Sequence, residues 1–245
     1  MVTVDTSAYR NIVALTGAGI SVASGLRPYR GPGGLWEEVE ASGVADVRVM
    51  QERPAVAWRF FEEARAVIQR AEPNPAHLAL ARLETGLRSD QSFTLITQNI
   101  DGLHQRAGSK NVVELHGTLA RTRCSIPTCA LEPFEDHARE IRECPSCPLC
   151  SAPLRPDVVL FGELIPAEAE WRSKKALRDC DLFIAVGTSG TVSPASNFVR
   201  SAEYAGARTI FVNLEPLDPP NPAFHETHLG RAEEILPRLL GVGTP

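Results

Sequence analysis

Two stretches of this 245-residue chain have residue types and spacings that could do chemistry. The first is NIVALTGAGISVASGLRPYR, Asn11 to Arg30. An apolar run, Ile12 to Leu15, leads through Thr16 into Gly17-Ala18-Gly19, with Ser21 and Ser24 behind it. A buried strand that runs into closely spaced glycines can set bare backbone N–H groups against a diphosphate. The glycines remove Cβ atoms that would hold the phosphate off. Arg27 and Arg30 add guanidinium groups suited to bidentate phosphate pairing. The turn departs from the G-x-G-x-x-G dehydrogenase fingerprint, since Val22 stands at the third glycine. The segment 25–34 is too rich in Gly and Pro for a crossover helix, and the expected acidic partner is missing. Hydride transfer is therefore disfavoured. A plain strand-to-helix turn is the bland alternative.

The second stretch holds five of the six cysteines, between Cys124 and Cys150. Clustered cysteines in a chain with no export signal suggest a metal rather than disulfides. Cys124 and Cys129 form one pair, and Cys147-Pro-Leu-Cys150 forms another about 20 residues on. That is the layout of a Cys₄ zinc site, with a thiol pair or an iron–sulfur site as the alternative. Cys144 competes for a place, because Cys144-Pro-Ser-Cys147 is itself a CxxC. Cys147 and Cys150 are preferred because they adjoin the following strand. Four cysteine ligands leave no open position, so the expected zinc is structural. Cys180 reads as a core residue.

These groups need a scaffold, and the apolar runs supply one. Strands are predicted at 12–15, 92–96, 112–115, 158–161, 182–186 and 209–212. Helices are predicted at 54–71, 76–85, 168–178, 194–205 and 231–240. Several strands end in small or polar residues, and an open parallel sheet binds ligands at its carboxyl ends. Gly17, Asn99, Asp101, His116, Glu163, Ser189 and Asn213 would then gather along one edge. The segments 28–34 and 216–222 read as loops. A net charge of −5 argues against nonspecific nucleic-acid binding. No apolar run approaches the ~20 residues of a membrane span, and the N-terminus has no signal-peptide core. A soluble cytoplasmic protein with neither nucleic acid nor membrane as partner is expected.

Taken in order, seven blocks resemble the sirtuins: GAGIS (17–21) with SG (24–25) and YR (29–30), TQNIDGLH (97–104), ELHG (114–117), the paired cysteines, LRPDVVLFGE (154–163), GTS (187–189) and NLE (213–215). The resemblance runs from about Asn11 to Leu240 and implies an NAD-dependent protein-lysine deacylase of the bacterial type. It implies an α/β fold: a Rossmann-like parallel sheet with helices on both faces, plus a small domain of a helical segment and a zinc-binding module. The Rossmann-like part would take 1–30, 76–120 and 154–245, the helical segment 31–75 and the module 121–153. Gly17, Ala18, Gly19, Ser21 and Arg30 resemble the diphosphate and ribose side of the NAD site. Tyr29 stands where Phe is common, near the nicotinamide. Gln98, Asn99 and Asp101 resemble the nicotinamide and ribose contacts, and His116 resembles the catalytic base. Gly187, Thr188, Ser189, Asn213, Glu215 and Ala232 resemble the adenosine side. Val159, Phe161 and Gly162 resemble the wall that pairs with substrate backbone, and Phe61 resembles an acyl-pocket residue.

The chemistry is consistent with that assignment. An acyl-lysine oxygen is a poor nucleophile and needs an electrophile as activated as ribose C1′ of NAD. Nicotinamide loss develops positive charge that a polar floor of Asn99 and Asp101 can stabilise. An imidazole near neutral pKa suits the base that deprotonates a ribose hydroxyl. The products would be lysine and O-acyl-ADP-ribose. On the bland side, His104 orients neighbours, His77 is structural, Glu163 caps a turn, and Phe60-Phe61 belongs to the core. His137, His225 and His228 have no assigned role. Relatives preferring succinyl or malonyl groups carry Tyr-x-x-Arg in the helix at 54–71. Here those places hold Phe61 and Ala64, with Arg65 one residue on, about 100° away around the helix. Deacetylation is expected over desuccinylation. The competing readings are an NAD glycohydrolase or ADP-ribosyltransferase, and a non-enzymatic NAD or ADP-ribose sensor.

Overall fold

The computed structural model describes residues 3–30, 33–136 and 142–242; expectations for 1–2, 31–32, 137–141 (His137 included) and 243–245 lie outside them. In chain order the strands are β1 (Asn11–Thr16), β2 (Ser92–Thr97), β3 (Val112–Glu114), β4 (Gly117–Cys124), β5 (Phe134–Glu135), β6 (Leu154–Val158), β7 (Leu182–Val186), β8 (Arg208–Asn213) and β9 (Glu226–Leu229). The helices are α1 (Trp36–Ser42), α2 (Val47–Glu52), α3 (Pro54–Ile68), α4 (Pro75–Thr85), α5 (Leu103–Arg106), α6 (Ala167–Arg178), α7 (Phe198–Tyr204) and α8 (Ala232–Leu239).

Six strands form one sheet in the order β3-β2-β1-β7-β8-β9, and every pairing in it is parallel. The strand order reverses beside β1, which makes the β1/β7 boundary the switch point where an open α/β sheet binds its ligand. The two-residue period of β1 divides the core. Ile12 and Ala14 pack with α4 and α8 through Leu80, Leu83, Leu236 and Leu239. Val13 and Leu15 pack on the opposite face with Leu177, Phe198 and Ala202 of α6 and α7. Helix α4 starts where the sequence breaks: Asn74 caps it, Pro75 takes the first turn, and His77 completes a capping box.

Between β1 and α4 the chain inserts α1 to α3, and between β3 and α6 it inserts a second sheet, β5-β4-β6. The predicted strand at 158–161 is not part of the parallel sheet. The strand lies at Leu154–Val158 and pairs antiparallel with β4. Val158 and Leu160 are apolar because they bury against Met50 and Phe61, in a separate cluster with α3. This second sheet runs from Gly117 to Val158, across both ends of the span 121–153 expected for the module. The predicted helix at 194–205 begins as a 3-10 turn and becomes α-helical from Phe198. No helix among the described residues is long and apolar enough to cross a membrane.

The turns after β1 and β7 interlock. Gly17 N–H bonds to Val186 O at 3.0 Å and Gly19 N–H to Gly187 O at 2.9 Å. A Cβ on Gly19 would sit 2.7 Å from Gly187 Cα. Gly187 has φ +61°, and a Cβ there would sit 2.3 Å from Ile20 N. Gly187→Ala adds a left-handed backbone penalty and a backbone clash, so it should lower unfolding free energy by about 3 kcal/mol. Urea denaturation measures this, and a variant within about 0.5 kcal/mol of wild type would refute the interlock.

Candidate active site

The parallel strands end on one side of the sheet, and the predicted site residues follow those ends. Gly17, Ala18, Gly19 and Ser21 follow β1; Gln98, Asn99 and Asp101 follow β2; His116 follows β3; Gly187, Thr188 and Ser189 follow β7; Asn213 closes β8, with Glu215 just beyond it.

Ser21, Asn99 and Asp101 form a hydrogen-bonded floor. Ser21 Oγ donates to Asp101 Oδ2 at 2.7 Å. Asn99 Nδ2 donates to Gly17 O at 3.1 Å and to Ser21 Oγ at 3.3 Å. Its Oδ1 takes no donor from the described residues. Asp101 Oδ1 accepts the Leu103 N–H at 3.0 Å. Burial raises the Asp101 pKa, and the Leu103 and Ser21 hydrogen bonds oppose that.

His116 is half-buried, and its Nδ1 lies 2.9 Å from Gln98 O. A carbonyl only accepts, so Nδ1 carries the proton and Nε2 keeps a lone pair. Burial lowers the His116 pKa, with the Gln98 carbonyl opposing it. The ring is therefore neutral at pH 7, in the tautomer a general base needs. Gln98 is held in turn: its Nε2 donates to Thr188 Oγ1 at 3.0 Å.

Beneath the floor lies a polar layer that sequence reasoning missed. His104 Nε2 lies 2.9 Å from Thr16 Oγ1, and Thr16 Oγ1 donates to Thr97 Oγ1 at 2.9 Å. The Asn99 N–H donates to the same Thr97 oxygen at 3.1 Å. The available signal was two threonines closing adjacent apolar strands; they are register partners. His104 thus orients neighbours, as expected. His77 accepts the Asn74 N–H on Nδ1 and faces Ser21 Oγ with Nε2 at 3.4 Å. Burial lowers its pKa to about 4.

Other expected residues take different places. Arg27 binds Glu38 and the carbonyls of Gly33 and Gly34, so it braces its own loop. Glu163 accepts from Arg155 and from the Leu160 N–H, which makes it a latch on its turn. Phe161 spends its backbone N–H on Ala45 O and its C=O on Val47 N–H. Val159 N–H is taken by His116 O. Gly162 is exposed beside them. Phe61 is only 4% exposed, packed with Met50, Leu119, Val158 and Leu160. Ser189 bonds Thr191, and Asn213 Nδ2 reaches Glu215 O. Ala232 is buried in the core at the start of α8. Burial pushes the half-buried Tyr29 hydroxyl up to about 12, and Arg30 beside it is exposed.

The dinucleotide suits what is present. Among the described residues, the Ala18 N–H has no backbone partner, in a turn where those of Gly17, Gly19 and Ile20 are bonded. Together with Asn99 Oδ1 and His116 Nε2, it leaves unspent polar groups along the strand ends at the switch point.

The sulfurs of Cys124, Cys129, Cys147 and Cys150 all lie within 4.8 Å of one another. Cys124 to Cys150 is 3.4 Å and Cys129 to Cys147 is 3.7 Å. Zinc–sulfur bonds of about 2.3 Å in a tetrahedron separate sulfurs by about 3.8 Å, so the set fits zinc. Cys144 Sγ points instead at Leu154 O, 3.5 Å away.

Fold and site together define an NAD-binding α/β protein with a structural zinc module. The Sir2 family profile matches residues 17–194. The NAD-dependent protein deacylase 2 of Pyrobaculum aerophilum is 44% identical over 94% of this chain and 90% of its own. A Sir2 homologue mutant solved with ADP-ribose superposes with a TM-score of 0.88 at 35% identity, over 95% of this chain and 91% of that one. A Sir2–p53 peptide–NAD+ complex gives 0.83 at 31% identity, over 96% and 94%. The chain belongs to the Sir2 family.

Two outcomes are expected. Metal analysis should find one zinc per chain in wild type and Cys144→Ala, and a large loss in Cys150→Ala; zinc retained by Cys150→Ala would contradict the ligand set. Because burial lowers the His116 pKa, activity should hold as pH falls and drop only below the ordinary value of 6.5. A kcat–pH profile whose acid limb lies at or above 6.5 would refute a neutral, buried base.

Proposed function

We infer that this Sir2-family chain is an NAD-dependent protein deacylase, and we propose lysine side chains bearing uncharged acyl groups, acetyl foremost, as its substrates. The observation that carries the reading is His116, whose Nδ1–H is tied to Gln98 O and whose Nε2 is left as a base. NAD, when bound, supplies an activated sugar carbon and a leaving group. Asn99 and Asp101 stabilise positive charge developing on that sugar, and Ser21 keeps the two in place. His116 Nε2 accepts a proton from a ribose hydroxyl. Beside the base, Phe161 and Gly162 are exposed and are the surface proposed to meet the peptide. The net charge of −5 disfavours nucleic acid as a partner, and reduced, metal-binding thiols suit the cytoplasm.

The preference for uncharged acyl groups follows from α3. Phe61 sits in an apolar cluster with Leu119, Val158 and Leu160, and Ala64 packs against it. Arg65 points away and is spent on Glu62, Asp136, Thr122 and Leu119 O. A succinyl carboxylate would be desolvated there without a partner, which costs several kcal/mol.

Mass spectrometry of the products from NAD and an acetyl-peptide tests the function. Deacetylated peptide and O-acetyl-ADP-ribose are expected, with a loss of about 10²-fold or more in His116→Ala. Nicotinamide release that ignores the peptide would instead mark a glycohydrolase. On acetyl and succinyl versions of one peptide, kcat/KM should favour acetyl by about 10²-fold, and a succinyl preference would overturn the acyl assignment.

A further inference from the structure

Strand β4 is interrupted where it passes the active site. Thr118 pairs with Asp157 of β6, and the next pair is Thr122 with Pro156. Leu119, Ala120 and Arg121 therefore bulge out of the β4–β6 ladder. Bulges of this kind re-aim groups beside functional sites. Here the bulge turns one residue's backbone to two new partners. The Leu119 N–H donates to Ile100 O at 2.9 Å, and Leu119 O accepts Arg65 Nε at 2.8 Å. Ile100 lies between Asn99 and Asp101.

Arg65 is itself immobilised. It is 2% exposed. Its remaining donors reach Glu62, Asp136 Oδ2 at 3.3 Å and Thr122 Oγ1 at 3.0 Å. Thr122 Oγ1 donates to Asp136 at 2.7 Å, and Arg142 pairs with both Glu62 and Asp136. Among the described residues, two guanidinium groups and two carboxylates meet here. Both guanidinium carbons lie over the Trp58 ring, 5.7 Å for Arg65 and 5.5 Å for Arg142 from its centre. A buried fork with this many fixed donors has one orientation, which fixes the direction of its Nε–H.

We propose that Arg65 is a positioning residue: through the bulged Leu119 backbone it fixes Ile100, and so holds Asn99 and Asp101 in the active-site floor. The proposal rests on the deacylase reading above. It also gives the buried ion cluster a task beyond joining α3 to the second sheet. Among the described residues, Arg65 hydrogen-bonds Leu119 O, whereas the Arg142 guanidinium bonds the same two carboxylates.

That asymmetry supplies the test, made on the full-length zinc-loaded enzyme. Arg65→Met combined with Glu62→Gln removes one charge of each sign together with the Leu119 contact. Arg142→Met removes ion pairs to the same carboxylates and leaves that contact. Deacetylation kcat should fall about 10-fold or more in the Arg65 variant, with the acetyl-peptide KM within about threefold. Exchange of the Leu119 amide should accelerate in the same variant. Arg142→Met should keep kcat within about twofold and leave that amide protected. Unchanged kcat and exchange in the Arg65 variant, or equal losses in both, overturns the proposal. Should the Arg65 variant not fold, the Arg65 Nε–H signal of wild-type enzyme is followed by NMR on adding ADP-ribose. It should shift while Arg142 does not; a stationary Arg65 signal, with shifts at Asn99 and Asp101, overturns the assignment. A wild-type enzyme with no deacylation refutes the functional reading instead, since the exchange measurement needs no turnover.

Discussion

Two glycine turns pressed backbone to backbone set the geometry of everything at the strand ends. Gly19 donates to Gly187 O, and no side chain fits between them. That contact joins the β1 and β7 turns across the switch point. Thr188, next to Gly187, receives Gln98 Nε2, and Gln98 O receives the His116 ring. Asn99 reaches back to Gly17 O. A chain of fixed contacts thus runs from the glycine pair to the proposed base. The charge distribution of the site depends on it, because the protonated nitrogen of His116 is decided by which backbone group faces it.

The glycines illustrate what a sequence can and cannot disclose. Closely spaced glycines after an apolar run mark the turn, and by themselves they suggest room for a phosphate. In the structure Gly17, Gly19 and Gly187 are small so that two turns can touch. The position was legible because glycine is a strong local signal; the partner was not, because Gly19 and Gly187 meet only in the fold. Strands β1, β2, β7 and β8 were legible for a similar reason, each being a run of branched apolar residues buried on both faces. Strand β4, Gly117–Cys124, was not, since its RTRC half is polar and its pairing is broken by a bulge. Strand β9 was missed because it is a short sheet-edge strand, ETHL, that carries no apolar run.

The four cysteines whose sulfurs gather were legible from their spacing. Spacing left Cys144 as a rival, and only the direction of its sulfur separates it from the four. Arg65 is a contrasting case. Helical phase placed it away from the acyl-pocket face, but nothing in the sequence links it to Asp136 or to the Leu119 backbone. Long-range polar contacts of this kind leave little trace in a single sequence, because each partner taken alone resembles a surface charge. The buried His104–Thr16–Thr97 layer was hidden for the same reason.

The central claim is electrostatic: the strand-end scaffold holds His116 uncharged, with its proton on the nitrogen that faces Gln98 and the other nitrogen bare. Nitrogen-15 NMR of the histidine rings in labelled protein at pH 7 reads this directly. The account predicts a protonated Nδ1 and an unprotonated Nε2 for His116. A proton on Nε2, or a charged imidazolium at that pH, would contradict it.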